Sequence, residues 1–201
     1  LIYMADKLIK NGGGGFYLNE YPNLIKDMTA DPRRKILLGV SYALWDIAEQ
    51  HTPKLHNTIV METGGMKGKR EEMPKEDFHR MLGDAFGVET IHSEYGMAEL
   101  TSQAYSYGGG VFQTPPWMRV LIRDLNDPFD ILPTGRSGGV NIIDLANLSS
   151  CAFIQTQDIG VVKPVGDVSV PLRYKGPDDT CFSILGRADR REIRGCNLLV
   201  Q

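Results

Sequence analysis

Apolar positions in the first hundred residues fall into short runs that alternate with stretches of helical spacing. Lys35 to Val40 (KILLGV) reads as a buried strand, and Tyr42 to Glu49 (YALWDIAE) as the helix after it. Leu55 to Met61 (LHNTIVM) reads as a second buried strand, ending at the turn Thr63-Gly64-Gly65. Pro74 fits the first turn of a helix in which Phe78, Met81, Leu82 and Phe86 share one face. Gly83 weakens that helix slightly, and Gly87 is placed to stop it. Val88 to His92 is the expected third strand. Strands separated by helices imply an α/β layer with a largely parallel sheet.

From Tyr107 onward the texture changes. Gly108-Gly109-Gly110 and Pro115-Pro116 punctuate the chain, and short β-branched runs follow at Arg119–Ile122, Gly139–Ile143, Ile159–Val162 and Val168–Leu172. Gly, Pro and Asp turns separate them, so this half reads as β-rich, a small barrel or a meander. The expected fold class is therefore α/β: a sheet flanked by helices over residues 1–107 and a β-rich subdomain over residues 108–201.

Composition narrows the functional classes. The 201 residues are 42% hydrophobic, with 25 acidic against 22 basic side chains and a net charge of −3. Such a chain has material for a core and is not a disordered polyelectrolyte. With a sequence pI of about 5.8, no bulk positive charge favours nucleic acid. No run approaches the roughly 18 apolar residues of a membrane span, and Asp6, Lys7 and Lys10 interrupt the only apolar run near the start. Cys151, Cys181 and Cys196 form neither a disulfide framework nor a zinc pattern, which points to a reducing, cytoplasmic setting. His51, His56, His79 and His92 lack metal-ligand spacing, and the first three read as structural.

Several motifs are only superficial. Gly64-Gly65-Met66-Lys67-Gly68-Lys69-Arg70 has the wrong spacing for a phosphate loop, with Arg70 where a Ser or Thr is needed. Its cluster Lys67, Lys69, Arg70 reads as a solvated loop. Gly135-Arg136-Ser137-Gly138-Gly139 has the letters of a nucleophile elbow, but a strand rather than a helix follows it. Gly12 to Gly15 is a loop without the strand a dinucleotide fingerprint requires.

Four segments survive, in order. They are Glu62-Thr63-Gly64-Gly65, His92-Ser93-Glu94-Tyr95-Gly96-Met97-Ala98-Glu99, Thr156-Gln157-Asp158, and Gly186-Arg187-Ala188-Asp189-Arg190-Arg191-Glu192-Ile193-Arg194-Gly195. As a set they resemble the nucleotide-binding motifs of the adenylate-forming superfamily, the acyl-CoA synthetase-like enzymes. The second is similar to that family's Tyr-Gly-x-Thr-Glu, the third to its Thr-Gly-Asp, and the fourth to its Gly-Arg-x-Asp segment. The resemblance implies ATP and Mg²⁺ as cofactors, and a carboxylate that attacks the α-phosphorus as pyrophosphate leaves. It implies that Gly64 and Gly65 line the adenine and acyl pocket, where a missing Cβ allows close approach. It implies that Tyr95, followed by Gly96, offers an aromatic face to adenine, and that Glu99 is a hard oxygen ligand for Mg²⁺. Asp158 would accept from the ribose hydroxyls, and Arg187 would reach the same ribose or a phosphate. Read singly, Tyr95 is equally a core aromatic, Glu99 a solvated acid and Asp158 a turn residue. Ala98 and Gln157 depart from the family pattern: the first removes a hydroxyl, and the second adds bulk where the family has glycine.

Within the superfamily, the run METGGMKGKREEMPKEDF, the segment SEYGMAEL and the closing IRGCNLL resemble the LuxE-type acyl-protein synthetases. These activate a fatty acid and take the acyl group onto an enzyme cysteine, which the resemblance places at Cys196. Beside Arg194, its thiol would have a lowered pKa; the other reading is an inert cysteine near the chain end. Cys151 and Cys181, among apolar neighbours, are expected in the core. The substrate implied is a fatty or other apolar carboxylic acid, and the final acceptor is the cysteine, a partner protein or CoA. A phenylacetate-CoA-ligase-like enzyme and a nucleotide-binding fold without turnover are the rival readings. Leu1 opens inside an apolar run without a capping residue, so the chain is expected to be the later part of a larger nucleotide-binding domain.

Overall fold

The computed structural model describes residues 2–66, 70–71, 73–169 and 179–188. Four helices, α1 (Ile2–Gly12), α2 (Tyr21–Ala30), α3 (Ser41–His51) and α4 (Lys75–Phe86), accompany nine strands. These are β1 (Lys35–Val40), β2 (Thr58–Thr63), β3 (Ile91–Tyr95), β4 (Ala104–Ser106), β5 (Val111–Gln113), β6 (Met118–Arg123), β7 (Ser137–Asp144), β8 (Phe153–Pro164) and β9 (Thr180–Arg187). They form one sheet in the order β1-β2-β3-β4-β5-β9-β8-β7-β6.

The first three strands are parallel, and α3 and α4 are the crossovers that link them. Because the spatial order follows the chain order, right-handed crossovers set both helices on one face, where they touch each other. Their apolar stripe supplies the first core: Leu44, Ile47 and Ala48 from α3 with Phe78, Leu82, Ala85 and Phe86 from α4, over Val60 and Ile91. Gly39 lets α3 approach the sheet, since a Cβ there would stand 2.8 Å from the Leu44 side chain. Pro74 caps α4 from the position before its first residue, and Gly87 closes it at φ 69° with its N–H bonded to the Gly83 carbonyl.

β3 through β9 pair antiparallel. Consecutive strands β6 to β9 lie side by side, so the second half is a meander and not a closed barrel. Its core joins Phe112, Phe182, Met118, Val120, Ile122, Val140 and Ile142. Ser137 opens β7, in keeping with the strand expected after Gly135–Gly139.

Some boundaries differ from the sequence reading. The second strand starts at Thr58 and the third at Ile91, each three residues later than the apolar runs suggest. In both cases the chain is still turning at the start of the run: Asn57 adopts a left-handed φ of 52°, and the Val88 N–H bonds back to the Gly83 carbonyl. β1 is the edge of the sheet, and only Leu37 within it is buried. Val165–Asp167 form a short 3₁₀ turn, and Val168–Ser169 are not strand; the rest of the expected Val168–Leu172 run lies outside the described residues. Cys181 is buried as expected, but Cys151 is exposed, because the turn after β7 carries it off the sheet.

Gly138 is packed without room for a side chain. A Cβ there would lie 2.2 Å from the Arg123 carbonyl oxygen and 2.9 Å from the Ile122 side chain. Backbone cannot yield as a flexible side chain can, so Gly138→Ala is expected to destabilise the fold by about 3 kcal/mol. Urea unfolding monitored by circular dichroism checks this.

Candidate functional site

The motif Thr156-Gln157-Asp158 is a bulge in the sheet. Gly139 pairs Ile159 and Asn141 pairs Gln155, so all three motif residues stand opposite Val140 alone. Such a bulge takes residues out of the ladder and re-aims their side chains. It also frees carbonyls that must find donors. Arg123, 7% exposed, supplies them: its guanidinium donates to the Val140 carbonyl (3.1 Å), the Thr156 carbonyl (2.9 Å) and Asn141 Oδ1 (2.8 Å). Thr156 Oγ1 also donates to the Val140 carbonyl (2.8 Å) and accepts from the Asp158 N–H (3.1 Å). Gly139 leaves the space, since a Cβ there would meet the Arg123 guanidinium at 2.4 Å. Burial lowers the pKa of this guanidinium from its ordinary value.

Asp158, so presented, is 8% exposed and receives the Tyr95 hydroxyl at 2.7 Å on Oδ2. Tyr95 ends β3, 63 residues earlier in the chain. Arg187 lies opposite Asp158 on β9, its Nη1 3.6 Å from Asp158 Oδ1 and its Nη2 donating to Gln157 Oε1 at 2.8 Å. The Tyr95 ring packs against Phe182 and Phe112, with centroids 5.4 and 5.8 Å away. Burial first, then the charge and hydrogen bond of Asp158, push the Tyr95 phenol well above its usual value. Tyr95, Asp158 and Arg187 are thus brought together.

Gly64 and Gly65 follow β2, whose last residue Thr63 is the ladder partner of Glu94, directly before Tyr95. Gly64 has φ +69°, and a Cβ on Gly65 would meet nothing within 4 Å. The turn therefore borders open space beside the Tyr95 strand end. Gly96 is explained by its neighbour instead: a Cβ there would lie 2.5 Å from Glu94 Oε1. Glu99 sits in the turn after β3 with an exposed side chain, and its backbone carbonyl accepts from Asn147 Nδ2 (2.9 Å). The buried Asp144 fixes this loop by accepting the N–H groups of Thr101 (2.9 Å) and Ser102 (2.8 Å) and the Ser102 hydroxyl (2.7 Å). Among the described residues no three His, Cys, Asp or Glu side chains cluster to hold a metal ion. A lone Glu99 carboxylate is compatible with Mg²⁺, which takes one or two carboxylates plus phosphate oxygens and water. Cys196, Lys67 and Lys69 lie outside the described residues. Arg70 is not a solvated loop residue: it donates to Asp46 (3.0 Å) and Glu49 (2.8 Å) and lies over the Trp45 ring.

A second cluster escapes the sequence reading. Glu62 is 2% exposed, with Lys75 Nζ at 2.5 Å and His79 Nε2 at 3.4 Å from Oε1, and Ser41 donating to Oε2 at 2.8 Å. Burial alone would raise its pKa. The hydrogen bond from His79, the charge and hydrogen bond of Lys75, and Ser93 outweigh it and hold Glu62 at about 2. The only signal in the sequence was the pair Lys75 and His79 at helical spacing, one turn apart.

The family model for "Acyl-protein synthetase, LuxE" matches residues 46–201. The chain belongs to the LuxE acyl-protein synthetase family. Long-chain-fatty-acid–luciferin-component ligases from Aliivibrio fischeri (28% identity over 145 residues) and Vibrio harveyi (27% over 146) each align with 70% of the chain. The chain spans about a third of their length, 36% and 35%. Among solved structures, ATP-bound MatB from Rhodopseudomonas palustris superposes with a TM-score of 0.64 at 14% identity, covering 92% of this chain and 37% of that one. An open 2-hydroxyisobutyryl-CoA ligase with 2-HIB-AMP and CoA gives 0.60 at 13% identity, covering 87% and 38%. At these identities the likeness is one of fold, and the fold of this LuxE-family chain is that of adenylate-forming enzymes. No helix among its described residues is long and apolar enough to cross a membrane.

Glu62 gives a pH-dependent prediction. Its folded pKa lies below the ordinary 4.5, so its contribution is present above pH 4.5 and is lost as pH falls towards about 2. A shift of that size is worth about 3 kcal/mol. The stability gap between the native protein and Glu62→Gln is therefore expected to be widest near pH 7 and to close below pH 4, as read by urea unfolding at each pH.

Proposed function

We propose that this chain carries the adenosine- and magnesium-contacting part of a ligase that activates a fatty or other apolar carboxylic acid as its acyl-adenylate and passes the acyl group to Cys196. What supports the reading most is the convergence of Tyr95, Asp158 and Arg187 from β3, the β8 bulge and β9, beside the open turn at Gly64-Gly65. Family membership and the names of the relatives, long-chain-fatty-acid ligases, support the substrate class.

In this reading the acid's carboxylate oxygen forms a bond to the α-phosphorus of ATP as the bond to pyrophosphate breaks. The thiolate of Cys196 then takes the acyl carbon, and AMP leaves. The open face of Gly65 admits the flat adenine, and the Tyr95 ring, held by Phe112 and Phe182, forms one wall. Asp158 accepts the ribose hydroxyls. It is preset by Tyr95 and by the Arg123-buttressed bulge, so little ordering is left to the ligand. Arg187, about half exposed, remains able to reach a ribose or phosphate oxygen while Gln157 steadies it. Glu99 would hold Mg²⁺, which would neutralise charge on the phosphates. The protein works in the cytoplasm, with an acyl-accepting partner protein downstream of Cys196.

Acid-dependent exchange of labelled pyrophosphate into ATP by the full-length protein is the test. Exchange is expected with long-chain acids, and Asp158→Asn should lower its kcat/KM by about 10- to 100-fold, as loss of hydrogen bonds to a charged group implies. A hydroxylamine-labile acyl label should form and vanish in Cys196→Ser. Absence of both exchange and ATP binding overturns the reading. Acyl-CoA formation without a covalent label would instead make CoA the acceptor.

A further inference from the structure

The buried Glu62 cluster and the Gly64-Gly65 turn are joined by one hydroxyl. Ser41, 3% exposed at the start of α3, donates to Glu62 Oε2 at 2.8 Å, and the same Oγ lies 3.2 Å from the Gly64 carbonyl oxygen. A serine hydroxyl has a single hydrogen, and both of these oxygens are acceptors, so the two contacts share it. Glu62 cannot move to suit the turn. Its other oxygen is fixed by Lys75 and His79 from successive turns of α4, and its backbone is fixed by the ladders to Gly39 and Ser93. Lys75 in addition lies over the Phe112 ring, 5.5 Å from its centroid, and Phe112 packs on Tyr95. One cluster therefore touches both borders of the candidate site, the glycine turn through Ser41 and Tyr95 through Phe112.

We infer that Ser41, Glu62 and Lys75 form a latch that holds the Gly64-Gly65 turn in its open, ligand-admitting geometry. They are positioning residues and not groups that touch the ligand. The alternative is a cluster that only stabilises the α3, α4 and sheet packing. The turn needs such a latch because Gly64 at φ +69° and Gly65 with open surroundings have no side chains of their own to fix them. The inference deepens the nucleotide reading by naming what sets affinity at that turn. It rests on that reading only where ATP is the readout.

Backbone NMR relaxation of the Gly64 and Gly65 amides in the full chain tests the latch without any ligand. In the native protein their order parameters should match the rigid backbone, near 0.85, and in Ser41→Ala they should fall below about 0.6 while β2 is unchanged. Ser41→Cys, which keeps the size of the side chain and weakens its hydrogen bond, should lower them by a smaller amount, and it decides the matter if Ser41→Ala does not fold. Unchanged order parameters in the folded variants overturn the latch. With ATP, Ser41→Ala should raise the KM for exchange about tenfold and change kcat less than threefold, the loss expected for one hydrogen bond. A fall in kcat at constant KM would also overturn it. If the native protein binds no ATP, the nucleotide reading fails, and the relaxation comparison still decides the latch.

Discussion

The site depends first on a guanidinium buried where the sheet breaks its own ladder. Opposite Val140 the β8 strand carries three residues for one, and the carbonyls released there would each carry the desolvation cost of an unmet hydrogen bond. Arg123 meets that demand with a planar fork of donors that reaches both strands at once. A lysine, with a compact ammonium, would not span the same oxygens. The arrangement in turn requires Gly138 and Gly139, because the Arg123 backbone and its side chain occupy the places where their Cβ atoms would stand. A bulge, two glycines and an arginine are therefore one device, and its product is the direction in which Asp158 points.

The other half reaches the same place by a different route. Parallel strands and their crossover helices put the ends of β2 and β3 side by side, which is where a βαβ layer leaves its loops free. There the backbone is held by buried charge. Glu62 is ionised in the interior because the Lys75 ammonium compensates its charge and His79 hydrogen-bonds it from α4, while Ser41 completes its coordination from α3. Removal of one partner would leave an unpaired buried charge, a cost far larger than a surface ion pair could recover. Asp144 acts similarly for the loop that carries Glu99, through backbone N–H groups instead of an ammonium. Each turn that borders the candidate pocket is thus tied to a buried polar group behind it.

Much of this was legible in the chain. Helical spacing located α4 and its buried face, and the apolar runs located β1, β2 and β3 to within three residues. The ordered motifs named Tyr95, Asp158 and Arg187 before their contact was visible. What the sequence did not reveal follows from its one-dimensional form. Periodicity cannot separate a turn from the start of a strand when both are apolar, so Leu55 and Val88 read as strand. It cannot tell that Arg123, on the face of β6 opposite Met118, Val120 and Ile122, is buried, nor that Thr156-Gln157-Asp158 leaves the ladder to β7. The exposed Cys151 shows the same limit, since apolar neighbours in sequence were neighbours across a turn and not in a core.

The two departures from the superfamily motifs take on different meanings in three dimensions. Gln157 stands where the motif has glycine, yet its side chain points outward from the bulge and accepts from Arg187. It does not crowd Asp158. It gives Arg187 a neutral partner beside the charged one, which draws the guanidinium along β9 and spreads its donors over two side chains. Arg187 is held less tightly by Asp158 as a result, at 3.6 Å rather than in a close bidentate pair. A carboxylate with its cation at that distance keeps accepting capacity for another donor. Ala98, by contrast, lies exposed in the turn between Tyr95 and Glu99. The bulge position is compensated by its neighbours within the chain, whereas the turn position stands at the surface.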